Sequence, residues 1–341
     1  MRARRNRYIP LRRSSGRDVN TGKSTKKVIF LLFKVAVSSA LLAYLLSKVG
    51  GMAVLENAIL LSPLHFGAAA ALYLFAAYLS SLRWKLLIPQ PVRTGRLFSM
   101  YIIGSFFNVC LPGIIGGDAI KAFYLSRELQ LKPPAANAGD AGKGTVSVAV
   151  ASVFMDRYIG LAALLFIGLA ACPAGIDVLT KASALWVLPV IFVSFVAASL
   201  ILFKARLGGR VKFLMGVYSA FDYYFAKRHV LFNSFMYSIA IQLSGMASVY
   251  ILARGLSLEI GIVSILVFLP MIILISMVPV SISGLGIREG AFVFFLGTMG
   301  ISADRAMTLS ILWFLSVIVA SCWGFVEYLR FKHLFGGSVE K

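Results

Sequence analysis

Charge is scarce in this chain, and acid is scarcer: 14% of the 341 residues are charged, with 13 Asp and Glu against 34 Lys and Arg. Soluble domains carry about 25% charged residues, so a chain this poor in charge and 59% hydrophobic is excluded from the water-exposed globular class. Cysteine is almost missing. Cys110, Cys172 and Cys322 lie far apart, in or beside apolar runs, which excludes a disulfide framework and a zinc site and leaves packing. His65, His229 and His333 are isolated and lack metal-binding neighbours, and no Walker-type phosphate loop is present. Neither a metal nor a cofactor is expected.

The net charge of +21 could suggest nucleic acid, but the basic residues sit in short clusters beside apolar runs, the pattern of positive-inside topology. No nucleic-acid partner is expected; membrane phosphates are the natural counter-charge. The opening stretch 1–27 carries ten Lys and Arg with Asp18 as its one acid and reads as a disordered cytoplasmic tail on anionic lipid. The apolar run Val28 to Leu46 is about 19 residues, long enough to span and longer than a signal peptide's core. Lys34 lies near its basic end, where it can snorkel.

Charge bias then orders the remaining runs. Leu64 to Leu82 returns to a side marked cytoplasmic by Arg83, Lys85, Arg93 and Arg96. Leu97 to Leu111 is short for a span, and both its flanks are basic, so Leu97 to about Leu125 reads as a re-entrant hairpin from the inside. Thr145 to Cys172 crosses outward and Ser183 to Phe203 back. The basic loop that follows holds an amphipathic surface helix at Val211 to Phe225. Leu231 to Ala253 goes out, Ile260 to Gly300 forms a second hairpin from the outside, and Ala306 to Leu329 ends inside before Arg330 and Lys332. Lys48 and Glu259 should face outside, Pro91 and Arg210 inside, and both termini the cytoplasm.

The expected fold class is therefore an all-α integral membrane protein, with about six full transmembrane helices and two re-entrant helical hairpins. One transmembrane domain spans 28–330, followed by a short cytoplasmic tail at 331–341. Residues 28–172 and 183–329 repeat the order span, span, hairpin, span in inverted orientation, the plan of many transporters whose sites lie where broken helices meet. Asp118 to Asp156 and Glu289 to Glu327 even share one spacing.

Each hairpin contains a break rich in glycine and proline, Leu111 to Asp118 and Pro279 to Gly290. Irregular backbone at membrane depth survives only where protein buries it or a cavity adjoins it. The breaks supply the candidate substrate-binding residues Gly116, Gly117, Asp118, Lys121, Gly284, Gly286, Arg288 and Glu289, with Arg157 on an adjoining span and Asp156 in a coupling or structural role. Asp118 can cap the helix after its glycines, or stand beside a phosphate cradled by that helix start, with Lys121 one turn on as the positive charge. Arg288 can grip a phosphate with two N–H groups. Glu289 can cap its helix and either pair with Arg157 or titrate, because helix neighbours such as Arg288 and Glu289 do not face each other. The other reading of these charges is a set of ion bridges locking the hairpins.

The runs LPGIIGGDAIKAFYL, SVFMDRYIGL and PVSISGLGIREGAFVFFLG together resemble the lysylphosphatidylglycerol synthase transmembrane family, the flippase-like N-terminal domain of the bacterial multiple peptide resistance factor. The resemblance covers nearly all of 28–330. It implies a polytopic lipid flippase domain of the bacterial cytoplasmic (inner) membrane. The relatives' soluble aminoacyl-transfer domain is not expected here, since the chain ends at Lys341. The expected function is translocation of a phospholipid or other anionic, phosphate-bearing lipid, without enzymatic turnover. The alternative is a membrane-embedded enzyme or accessory subunit in lipid-headgroup or polyprenyl-phosphate glycolipid synthesis, for which Asp118, Glu128 and Asp140 are the nearest acids and form no familiar ligand set. Membrane lipids are the expected partners, with a homo-oligomer or a separate lipid-synthesis enzyme also open.

Overall fold

Inside a bilayer each backbone N–H and C=O must be satisfied within the chain, which favours helices over any irregular form. The computed structural model describes residues 21–110, 116–130, 141–204, 224 and 227–336, and among them there is helix and no strand. In chain order the helices are α1 (Thr21–Val49), α2 (Gly51–Ile59), α3 (Pro63–Leu87), α4 (Thr94–Cys110), α5 (Gly116–Gln130), α6 (Ala141–Ala171), α7 (Ile176–Lys181) and α8 (Val187–Lys204). The second half adds α9 (Arg228–Gly255), α10 (Ile262–Ser276), α11 (Ile287–Gly297), α12 (Ala303–Ser321) and α13 (Trp323–Gly336).

Among the described residues five segments are long and apolar enough to cross a membrane: Leu32–Val49, Pro63–Leu87, Thr145–Ala171, Arg228–Gly255 and Ala303–Phe331. The expected span at Ser183 to Phe203 corresponds to the shorter apolar helix Val187–Ile201. Helix α1 begins at Thr21, inside the stretch 1–27 read as tail. Residues 1–20, residues 111–115 of the first break, Asp140 and nearly all of the expected surface helix at 211–225 lie outside the described residues. The last expected span, Ala306 to Leu329, is two helices rather than one: α12 stops at Ser321, and Cys322 separates it from α13.

Helices α3 and α9 pack against each other along their length and form the centre of the bundle. Serines at 80, 81, 234, 238, 244 and 248 are buried on these two helices, small residues that let apolar helices approach closely in lipid. Helix α4 pairs with α5, and α5 with α6; in the second half α10 pairs with α11, and α11 with α12. Helix α6 also contacts α10, and α12 contacts α4. The exposed surface carries large apolar side chains such as Phe75, Trp186, Val193 and Phe294, which suits a lipid-facing exterior.

The α4–α5 contact depends on two glycines. A Cβ at Gly117 would lie 1.9 Å from the Gly104 carbonyl oxygen, and one at Gly104 would lie 2.5 Å from Lys121 Cγ. Only hydrogen fits at this crossing. The second break is held differently: Ser283, Gly284 and Gly286 take φ of 50°, 77° and 84°, the left-handed region where glycine is unstrained. Ser38 of α1 accepts the Ile282 N–H at 2.8 Å, so the first helix clasps this break. Lys34, one turn before Ser38, is buried against protein rather than snorkelling.

Candidate functional site

The start of α5 brings its first turn against α6, and four of the predicted residues meet there. Asp118 accepts two hydrogen bonds from Arg157, Nε to Oδ2 and Nη2 to Oδ1, both 2.8 Å. This is the two-pronged geometry in which a planar guanidinium binds a carboxylate most strongly. Lys121, one turn after Asp118, reaches the same carboxylate at 2.9 Å and stands 3.9 Å from Asp156. Asp156 in turn accepts Arg83 Nε at 2.9 Å, with Arg83 Nη2 at 2.8 Å. The charges thus alternate along one row: Arg83, Asp156, Lys121, Asp118, Arg157.

Burial differs sharply along this row. Asp156 is fully buried, Lys121 is 1% exposed and Arg83 is 4% exposed. Lys121 also lies over the Tyr101 ring at 4.3 Å and the Trp84 ring at 5.6 Å, a cation–π setting that offsets part of its desolvation. Lys121 is therefore not available to a substrate, contrary to the sequence expectation. The Arg157 side chain is 52% exposed, and it lines a cavity of about 280 Å³ bordered by residues of α3, α4, α6, α9 and α12. Tyr73, Ser80, Tyr101, Ser105 and Asn108 supply polar groups to the wall, and Val109, Ile241 and Val317 supply apolar ones.

Asp118 is not the cap that the sequence suggested. Its oxygens are taken by cations, and the capping role falls to Asn108 at the end of α4, whose Oδ1 accepts the Gly117 N–H at 3.0 Å. Gly116 opens α5 immediately before that contact.

Arg288 and Glu289 form a separate group. Glu289 Oε2 accepts the Gly286 N–H at 2.6 Å, closing the first turn of α11. Its Oε1 receives Arg288 Nη2 at 2.5 Å, Arg288 Nε at 3.1 Å and Ser310 Oγ at 3.2 Å. Arg288 also sits over the Phe314 ring at 4.3 Å. Two expectations are corrected here. Glu289 does not pair with Arg157, and it does neutralise its sequence neighbour. Side chains in a helix's first turn lean toward the N-terminus, so a Glu folded back to cap Gly286 comes within reach of the long Arg288 side chain; the rule that neighbours diverge holds in the helix interior.

Gly284 and Gly286 shape the turn before α11 and keep Leu41 of α1 close, since a Cβ at Gly286 would lie 2.6 Å from Leu41 Cβ. The second break touches the end of α4, where Ser283 Oγ donates to the Asn108 carbonyl at 3.4 Å. Among the described residues no ion pair joins the Arg157 group to the Arg288 group. Glu327 pairs with Arg330 on α13 at 3.0 Å, far in character from buried Asp156, so the matched spacing of the four acids carries no structural equivalence.

Sequence reasoning missed Arg83, read as a cytoplasmic marker. It lies buried between Asp156 and Ser238, whose Oγ accepts Arg83 Nη1 at 2.8 Å. The signal available was its position inside the helical run that begins at Pro63, two residues after buried Ser81. Asn108, a polar residue in an apolar helix, was also overlooked. Gln242 does reach into the bundle, donating to the Gly160 carbonyl at 3.0 Å.

No curated protein matches the chain. A family model described as the lysylphosphatidylglycerol synthase TM region matches residues 31–324. That match takes in α3 through α12, with every charged residue of both groups. Together with several apolar helices of membrane-crossing length, it makes this a multi-pass membrane protein, and the chain belongs to the lysylphosphatidylglycerol synthase transmembrane-region family.

Proposed function

We propose that this protein carries an anionic, phosphate-bearing lipid across the bacterial cytoplasmic membrane, acting as a flippase without covalent chemistry. The observation that carries this reading is Arg157, a half-exposed guanidinium facing a cavity inside an apolar bundle. A cation at membrane depth is costly and marks a substrate path by default. The cavity, at about 280 Å³, lies just below the range of about 300–1,000 Å³ that holds drug-sized ligands, room for a headgroup while acyl chains remain among the helices.

An inverted repeat is supported by the reciprocity of the packing. Helices α3 and α9 occupy the centre; α6 meets α10 as α12 meets α4. Asp118 and Glu289 each fall in the first turn of the second helix of a hairpin. Transport would then proceed by rocking of the two units about the broken helices, with α4–α5 and α10–α11 as re-entrant hairpins.

Transport is tested with purified protein in vesicles holding fluorescent lipids. We expect labelled lipid to redistribute between leaflets while mass spectrometry finds it chemically unchanged. Arg157→Gln should fold, because Asp118 keeps Lys121, yet lose at least tenfold in rate. A new lipid species would support the enzyme reading, and full activity of a well-folded Arg157→Gln protein would remove the site. Topology is tested separately with single cysteines and an impermeant thiol reagent. Positions 48 and 259 should label from outside and 91 and 210 from inside; outside labelling of 210 would overturn the arrangement.

A further inference from the structure

The five alternating charges around Arg157 do not cancel. Arg83, Lys121 and Arg157 face Asp118 and Asp156, leaving one positive charge in excess. The excess meets the cavity through one residue. Asp156 Oδ1 holds Arg83, and both Asp118 oxygens hold Arg157, with Lys121 shared between the two acids. Arg83 and Lys121 are shut away from the cavity by burial. The row as a whole carries the single positive charge, and the donor left open to a ligand is Arg157 Nη1, which makes no hydrogen bond among the described residues and belongs to the one guanidinium among the residues lining the cavity.

We propose, building on the transport reading above, that this cavity selects a headgroup with a single negative charge, an unmodified phosphodiester, and selects against a headgroup esterified with a cationic amino acid. Two observations carry this. A net charge of +1 shared along the row is neutralised by one anionic charge and not by two, whereas a phosphomonoester carries about −1.5 to −2 at neutral pH. And an aminoacyl ammonium would need a carboxylate, but no acid lines the cavity among the described residues, and both nearby acids are already paired with cations. Unpaired, that ammonium would keep its desolvation cost. The neutral donors and acceptors on the wall, Tyr101, Ser105 and Asn108, suit the phosphodiester oxygens and a glycerol hydroxyl. The site thereby departs from the lysylated lipid named in the description of its family.

The test is binding to the purified full chain in detergent, by calorimetry, of dioctanoyl phosphatidylglycerol, its lysyl ester, dioctanoyl phosphatidic acid and water-soluble glycerophosphoglycerol. We expect phosphatidylglycerol to bind at least tenfold tighter than the lysyl ester and tighter than phosphatidic acid. Asp118→Asn, which raises the excess to two charges, should shift preference at least fivefold toward phosphatidic acid. Arg157→Lys, which keeps the charge and loses the fork, should bind more weakly and keep the order. Equal or tighter binding of the lysyl ester overturns the proposal, as does an Asp118→Asn protein with unchanged preference. Glycerophosphoglycerol binding as tightly as the lipid would overturn the lipid as source. If vesicles move lipid but the preference is reversed, this inference fails and the transport reading stands; if the preference holds and no lipid moves, the reverse is true.

Discussion

Alanine at position 117 should abolish transport and lower stability more than alanine at any of the other described glycines. The Cβ would stand 1.9 Å from the Gly104 oxygen and 2.7 Å from Asn108 Cγ and Oδ1. Both obstacles belong to α4, and the nearer is a backbone oxygen that cannot rotate away, so the α4–α5 pair must separate. Overfilling a packed contact costs about 1–3 kcal/mol, and this case should reach the upper end because the shift also draws Lys121 off Tyr101 and tilts Asp118 away from Arg157. Gly67→Ala provides the contrast. Nothing lies within 4 Å of a Cβ there, and alanine is favoured over glycine inside a helix by about 1 kcal/mol, so α3 should be unchanged or slightly steadier. Melting in detergent and vesicle transport measure both; a Gly117→Ala protein that melts and transports like the parent would show that the helix pair yields at no cost.

That glycine also marks where the sequence could be read and where it could not. Composition and run length located the apolar helices, because a bilayer imposes one length scale and one satisfied backbone form. The second break was legible because glycine and proline inside an apolar run need a reason. Pairing was harder. Arg83 looked like a loop charge because positive-inside bias and a buried ion pair both put Arg near a helix end, and only the approach of α6 across 73 residues of chain distinguishes them. Arg288 and Glu289 were assigned outside partners because the side-chain directions of a helix interior were applied to its first turn. The break after Ser321 left no strong mark, since no proline interrupts that run and Gly324 stands in an otherwise continuous apolar stretch. Charge balance, by contrast, follows from residue identities once the neighbours are known, so the excess cation could be counted only after the fold had gathered Arg83 with the rest.

Asp156 should be the most sensitive charged residue to change, and its variants separate a scaffold role from a substrate role. Its carboxylate is fully buried and holds Arg83 while standing 3.9 Å from Lys121. Asp156→Asn keeps the volume and removes the charge. Arg83 and Lys121, both nearly sealed from solvent, then share no acid but Asp118, which already holds Arg157. Breaking a buried pair from one side costs about 3–5 kcal/mol because the remaining charge stays desolvated. Membrane yield and melting temperature should both fall sharply. Arg83→Gln in the same background removes the orphaned cation and should recover most of the loss, since Gln can still donate to Ser238 and the charge count returns to its original value. Under a scaffold role, the double variant regains both stability and transport, because Asp118, Lys121 and Arg157 are untouched. Recovery of stability with transport still absent would instead assign Asp156 and Arg83 a part in the transport cycle itself. An Asp156→Asn protein as stable as the parent would contradict the ion-pair row as a source of stability.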